Sequence, residues 1–358
     1  MADDEFDALL VDEVDKYKPL AERHPIPEID GVVVFDDRDG RHDYLVNGIK
    51  APMSTTTVVT KVFPKFKARR VINAYFDRWF WSGNKHSETI EAAETAVEAK
   101  RKIAAEWAEA GDIGRNRGSI LHKCIEDQLN QVPALYRTTP SDGGQVAHHF
   151  YAFERWLNSG WAAERKLRPF RVELPVAWRR IDSAVPALCG MVDALFVDDD
   201  GDYYLLDWKC SKYFGRDERA YQSRSGYGPA STLPDTKFAR YALQLAIYRL
   251  MLRQTAGIDV EGRRYLVRFG SDAWPDNEYE AETTWAADFH GVDVAAAELL
   301  ARLERGDPLL HAQEHASEGE EDDPEELWDA DENGNDMATF GMQKLRRRAV
   351  LNKRKARD

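Results

Sequence analysis

Apolar residues run almost unbroken through Met191-Val192 and Ala194 to Val197, and again through Tyr203 to Leu206. Between the two runs lies the polar stretch Asp-Asp-Asp-Gly-Asp. Asp200-Gly201 favours the positive φ of a tight hairpin turn, so the pattern predicts antiparallel strands over 191–198 and 202–209. Charge breaks the apolar pattern at Asp193 and at Asp207-Trp208-Lys209. Pairing makes Asp193 and Asp207 neighbours. Alternation along a strand sends Asp207 and Lys209 to one face of the sheet and Trp208 to the other. The apolar flanks imply burial on both faces, where unpaired charges cost several kcal/mol each.

The rest of the pattern predicts a strand over 171–178, a hairpin of 32–36 with 44–46 around Asp39-Gly40, and another strand over 264–269. Ser54-Thr55-Thr56-Thr57 caps a short helix ending before Pro64. Residues 87–109 have helical composition, and Gly111 to Gly114 is expected to break the chain before a second helix over about 119–129. Helices are also predicted over 146–157, 236–253 (with an apolar stripe) and 292–303. A three-stranded meander followed by a helix and a further strand, with helices before it, is a mixed α/β layer fold. There is no internal repeat.

Composition narrows the class. In 358 residues, 43% hydrophobic content with ten Trp predicts a globular body, and no apolar run reaches the eighteen residues a membrane span needs. The acidic start, Met1 to Asp7, is unlike a signal or transit peptide, which predicts an intracellular protein. Cys124, Cys189 and Cys210 have no Cys-x-x-Cys spacing, which argues against zinc fingers, a four-cysteine iron–sulfur cluster and a disulfide framework. The net charge of −14 is unevenly placed: residues 1–16 carry −6, 314–336 carry −12 and the last fifteen +7, leaving −3 for the rest. We therefore expect an acidic N-terminal segment over 1–30 and one domain over 31–310, with a helical part over about 64–160 and a core over about 165–310. An acidic, disordered linker over 311–342 and a basic tail over 343–358 complete the organisation. Three readings fit that tail: phosphate contact, a nuclear-import signal, or a short amphipathic helix packed on the body.

Two carboxylates and an ammonium on one small surface suit a hard divalent cation and an attacking water. An Asp-x-Lys triplet alone is weak, since roughly one arises by chance in a chain of ordinary composition. A surface strand with an alternating charge pair would read the same way. Two more constellations add weight: Gly118 with His122 one turn later and Glu126 one turn beyond, and Gln244 with Tyr248 on one helix face. Singly, each is more often ordinary packing. In order, Gly-x-x-x-His, Gly-x-x-Asp (Gly190 to Asp193), Asp-x-Lys and Gln-x-x-x-Tyr resemble the RecB-like branch of the PD-(D/E)XK nuclease superfamily. The resemblance covers about 54–270 and looks closest to stand-alone viral or mitochondrial genome-maintenance-type exonucleases; the Ser54 to Val58 segment resembles an opening common among them.

That resemblance implies a restriction-endonuclease-like core and a Mg²⁺- or Mn²⁺-dependent DNA nuclease of replication, recombination or repair, using one or two ions. By position it implies His122, Asp193, Asp207 and the carbonyl of Trp208 as metal ligands, Lys209 orienting the water, and Gln244 and Tyr248 supporting the site and the DNA. Glu173 matches an acid often found on the preceding strand. No Gly-x-x-x-x-Gly-Lys-Ser/Thr loop is present, so no nucleotide-driven motor is fused to it. Unwinding then falls to a separate helicase, polymerase or single-strand-binding partner, or the DNA is already single-stranded with free ends. The loop 211–236, carrying Lys212, Tyr213, Arg216, Arg219 and Arg224, is predicted to be a mobile flap that with Arg117 lines a positive groove. Exonuclease, structure-specific endonuclease and catalytically silent DNA-binding module all remain open. The localisation expected is nuclear if the tail is an import signal, and otherwise the cytoplasm or a viral replication site. Lys209→Ala and Asp207→Ala are expected to abolish cleavage and keep the fold.

Overall fold

The computed structural model describes residues 18–36, 42–83, 85–133, 145–180, 183, 185–210, 224–269, 281–287, 289, 291–309 and 337–355. The chain forms two compact units, residues 1–64 with 116–317, and residues 65–115 with 318–358. Among the described residues no helix is long and apolar enough to cross a membrane.

The first unit is a mixed α/β structure. A small antiparallel sheet has the order β1 (Val33–Asp36), β2 (Asp43–Val46), β3 (Ile49–Lys50), and the main sheet runs β4 (Arg168–Arg179), β5 (Pro186–Val197), β6 (Tyr203–Lys209), β7 (Arg264–Phe269), β8 (Ala281–Trp285). β4, β5 and β6 form an antiparallel meander, as the alternation predicts. β7 lies parallel to β6, which requires the crossover supplied by helix Lys237–Ala256. β8 falls at the edge; its sequence, Ala-Glu-Thr-Thr-Trp, carries too little apolar pattern to be read in advance.

Both faces of the main sheet are covered. One packs on helices Thr55–Lys61, Lys237–Ala256 and Val292–Arg305 through Leu174, Val192, Leu205, Leu243 and Leu299. The other packs Val172, Phe196, Leu206 and Trp208 against Leu121, Ile125, Phe153 and Trp156. Ser54 caps its helix by accepting from the Thr57 amide at 3.2 Å, as its sequence suggests.

Three expectations change. Helix Ala96–Leu129 runs uninterrupted through Gly111 and Gly114. Each glycine costs only about 1 kcal/mol against alanine, which 34 residues of helix absorb. The break falls earlier, between helix Ser87–Ala92 and Ala96. There Thr95 Oγ1 accepts from the Glu98 amide and Glu98 Oε2 from the Glu94 amide, a capping arrangement stronger than the glycines. In the predicted flap, residues 211–223 lie outside the described residues, whereas 224–236 are packed: Ala230 and Leu233 are buried in the core and Arg224 pairs with Asp235 at 2.7 Å.

The third change is the C-terminal tail, where the packed-helix reading holds for the described residues. In the second unit, helix Met337–Lys355 buries Phe340 beside Ile72, Phe76, Phe80, Ile90 and Ile103. Arg347, only 1% exposed, is ion-paired to Glu91 and donates to the Phe80 carbonyl and Ser87 Oγ. Lys344 donates to the carbonyls of Glu91 and Ala93, and Arg348 pairs with Glu91. Residues 1–17 of the expected acidic segment, 311–336 of the expected linker, and 356–358 of the tail lie outside the described residues.

Candidate metal centre

The β5–β6 hairpin is closed by Asp198, whose Oδ1 accepts from the amides of Asp200 (3.1 Å) and Asp202 (2.9 Å), with Gly201 at φ +85°. Pairing of Ala194 with Leu206 fixes the register and sets Asp193 level with Asp207. On the other side, the pairs Val172–Ala194 and Leu174–Val192 set Glu173 level with Asp193. Three carboxylates therefore stand in a row across β4, β5 and β6. Glu173 holds φ +45° in the middle of its strand, a left-handed conformation costing of order 1–3 kcal/mol for a residue other than glycine. The remaining non-glycine residues with positive φ among those described (Asn47, Gln131, Lys166) are in turns or at helix ends.

His122, on helix Ala96–Leu129, closes over this row. Its Nδ1 lies 3.3 Å from Glu173 Oε1, and its Nε2 lies 3.3 Å from the Trp208 carbonyl oxygen and 3.7 Å from Asp193 Oδ2. Asp193 Oδ2 also accepts from the Trp208 amide at 2.8 Å. Burial alone would push the His122 pKa down. Asp193 and Glu173 outweigh it and raise the value to about 9, so both ring nitrogens donate at neutral pH. Burial raises the Asp193 carboxyl, with His122 and Lys209 opposing.

Asp207 is 1% exposed, and its charge partner is Lys209, with Nζ 2.5 Å from Oδ2. Neither carboxylate oxygen accepts a well-aligned hydrogen bond, and burial lifts its pKa to about 6 against the pull of Lys209. Burial would lower the Lys209 pKa, but Asp207 and Asp193 overcome it and hold the ammonium charged. Its Nζ lies 4.7 Å from the centre of the Tyr241 ring. Trp208 points to the opposite face, among Phe153, Trp156, Phe196 and Phe269, as strand alternation requires.

Gln244 and Tyr248 share a helix face, Gln244 Nε2 donating to Tyr248 Oη at 3.1 Å. Burial, with Tyr44 and Asp193 nearby, raises the Tyr248 phenol well above its ordinary value, so it remains neutral. Its ring leans on Gly190: a Cβ there would meet Tyr248 Cε1 at 2.6 Å and Thr55 Oγ1 at 2.7 Å. The first glycine of Gly-x-x-Asp is thus a contact requirement. Thr55 donates to the Cys189 carbonyl at 3.2 Å and ties its helix to β5.

The structure gathers His122, Glu173, Asp193, Asp207, Trp208 and Lys209, with Gln244 and Tyr248 alongside. Arg117, on the same helix as His122, is partly buried. Lys212, Tyr213 and Arg216 lie outside the described residues. Glu126 pairs with Lys123 at 2.8 Å. Two site residues had no sequence signal: Tyr241, beneath Lys209, and Tyr44 of β2, whose phenol is raised by burial and by Glu173. Tyr44 comes from a separate hairpin that no local spacing links to the acids.

The ligand atoms of His122, Glu173 and Asp193 all lie within 4.8 Å of one another and can hold a metal ion. Of the expected set, His122 and Asp193 belong to this cluster together with Glu173, while Asp207, level with Asp193 on the next strand, has Oδ2 at 2.5 Å from Lys209 Nζ. Compared with protein-family models and with curated proteins, the chain matches none.

Proposed function

We propose that this protein is a divalent-metal-dependent DNA nuclease, acting as an exonuclease on single-stranded ends. The observation that carries the reading is the pairing, on one strand, of a buried carboxylate and ammonium (Asp207 and Lys209) beside the His122–Glu173–Asp193 cluster. Ion pairs serving stability alone rarely sit with the carboxylate 1% exposed and one of its oxygens, Oδ1, without a hydrogen bond. Such strain is common at sites where another charged group is to be accommodated.

His122, Glu173 and Asp193, with Asp207 and the Trp208 carbonyl in reach of the same row, would hold Mg²⁺ or Mn²⁺. The carboxylate and carbonyl oxygens of the set suit either ion. When bound, such an ion supplies charge neutralisation for a phosphate oxygen and acidifies water. The chain's own groups do the rest. Lys209, kept charged by Asp207, offers a fixed ammonium to the charge that develops as a phosphodiester is attacked. Tyr248 and Gln244 present neutral donors beside it.

Digestion of single-stranded oligonucleotides labelled at the 5′ or 3′ end, and of a closed circular strand, tests the reading with Mg²⁺, Mn²⁺ or EDTA, using wild type and Lys209→Ala. Metal-dependent shortening of linear strands with the circle untouched, absent in the variant, is the expected result. Cutting of the circle would instead mean an endonuclease. No cleavage of any substrate by the wild type would defeat the proposal.

A further inference from the structure

The second unit carries a row of aromatic rings at the margin of its core. Its buried cluster is Ile72, Phe76, Phe80, Ile90, Ala93, Ala99, Ile103 and Phe340, with Trp79 and Trp107 packed against it. Those two indoles continue outward into a row, Phe66, Trp107, Trp79 and Tyr75, with successive ring centroids 5.8, 5.8 and 6.0 Å apart. Tyr75 and Trp79 lie nearly parallel, at 17°. Phe66 is 66% exposed, and the other three rings are only partly buried. A solvent-facing phenylalanine at the end of such a row contributes little to the unit's packing.

Charge around the row is one-sided at its exposed end. Residues 65–76 read Lys-Phe-Lys-Ala-Arg-Arg-Val-Ile-Asn-Ala-Tyr-Phe, with four basic groups and no acid. Lys65 and Arg70 are exposed. Of the carboxylates next to the other rings in sequence, Glu106 is engaged by Thr89 Oγ1 and lies 3.6 Å from His86 Nδ1, and Asp77, between Tyr75 and Trp79, is exposed. Aromatic faces interleaved with cations suit a chain of stacked planar bases joined by phosphates, and an acidic or purely apolar partner would leave one half of that chemistry unused.

We infer that the row Phe66, Trp107, Trp79 and Tyr75, together with the exposed Lys65 and Arg70 of the basic segment that carries Phe66, binds single-stranded nucleic acid by base stacking and phosphate contact. The inference rests on the nuclease reading only for the identity of the polymer. It adds a binding surface within the second unit, built from residues to which that reading gives no role.

The test measures binding of fluorescein-labelled oligothymidylate and of an abasic strand of equal length to the full-length protein in EDTA, where no metal-dependent cleavage occurs. Phe66→Ala removes an exposed ring and spares the core. It should weaken oligothymidylate binding about fivefold or more and leave the abasic strand unaffected. Replacing Lys65 and Arg70 together by alanine should weaken both ligands and flatten the salt dependence of log K by about 1.4. Equal wild-type affinity for the two strands, or unchanged oligothymidylate affinity in Phe66→Ala, would overturn the inference; the row would then be packing or a protein-docking face. Cleavage by Phe66→Ala with unchanged binding defeats this inference and leaves the nuclease reading standing. Ring-dependent binding by a protein that cleaves nothing does the reverse.

Discussion

Glu173 stands level with Asp193 across β4 and β5, and it does so with a backbone φ of +45° that its side chain disfavours. An acid rather than glycine at a left-handed position makes sense where the carboxylate is needed. Replacing it separates the two demands. Glu173→Gly should leave stability unchanged or raise it by about 1 kcal/mol, whereas Glu173→Gln retains the strain. Both should lose cleavage and metal affinity. Denaturant unfolding alongside calorimetric metal titration checks this; a Gly variant that is less stable than the Gln variant would refute the strain argument.

His122 sets a pH signature for metal uptake. Its pKa, about 9 in the metal-free fold, lies above the unfolded value of 6.5, so its contribution to stability is complete below pH 6.5 and is lost as pH rises through 9. A metal needs the neutral imidazole. Metal affinity should therefore climb about tenfold per pH unit from 7 towards 9, with close to one proton released per ion bound at pH 7. Titration calorimetry in two buffers of different ionisation enthalpy measures the proton count directly, and His122→Asn should abolish it.

Lys209→Ala does more than remove the ammonium proposed to act in cleavage. It leaves Asp207 buried without a charge partner, a loss of order 3–5 kcal/mol when the carboxylate is ionised. Asp207 titrates near 6 in the fold, above its unfolded 3.8, so its favourable contribution is already lost as pH rises through 6. The variant's destabilisation should thus be small at pH 5 and grow above pH 6, and adding Asp207→Asn should restore most of it. Urea melts of the single and double variants at pH 5 and pH 8 decide it.

Gly190→Ala should cost about 1–3 kcal/mol and depress cleavage, because the new methyl meets both Tyr248 and Thr55. Pairing it with Thr55→Ser, which removes a methyl group but keeps the hydroxyl, should recover little, since the clash is with the hydroxyl and the ring. Thermal unfolding and single-turnover cleavage of the two variants distinguish this from a purely conformational effect of the glycine.

Arg347→Ala should destabilise the second unit by about 1–3 kcal/mol by leaving the Phe80 carbonyl without its buried donor, while Glu91 keeps Arg348. Limited proteolysis, with cleavage mapped to 65–115, is the readout.

The strands of the core could be read from sequence because burial on both faces wrote long apolar runs, and Asp-Gly fixed the hairpin that brings Asp193 level with Asp207. His122, Gln244 and Tyr248 were legible only through the order of motifs, since helix spacing alone does not say which face meets the sheet. Glu173 was visible as an acid but not as a strained one. The helix break was misplaced because two glycines look like stronger punctuation than Thr95 and Glu98, whose hydrogen bonds end one helix and start the next. Tyr44 and Tyr241 depend on tertiary contacts that no local pattern encodes.

Trp208 belongs to two environments at once. Its indole lies among Phe153, Trp156, Phe196 and Phe269, while its own amide holds Asp193 and its carbonyl meets His122. Packing and chemistry are thus separated by one Cα. A volume change on the far side of the sheet, at Trp156 for instance, will be felt as a displacement of donor and acceptor at the cluster, so variants chosen only to improve that aromatic core will also shift the groups around His122 and Asp193.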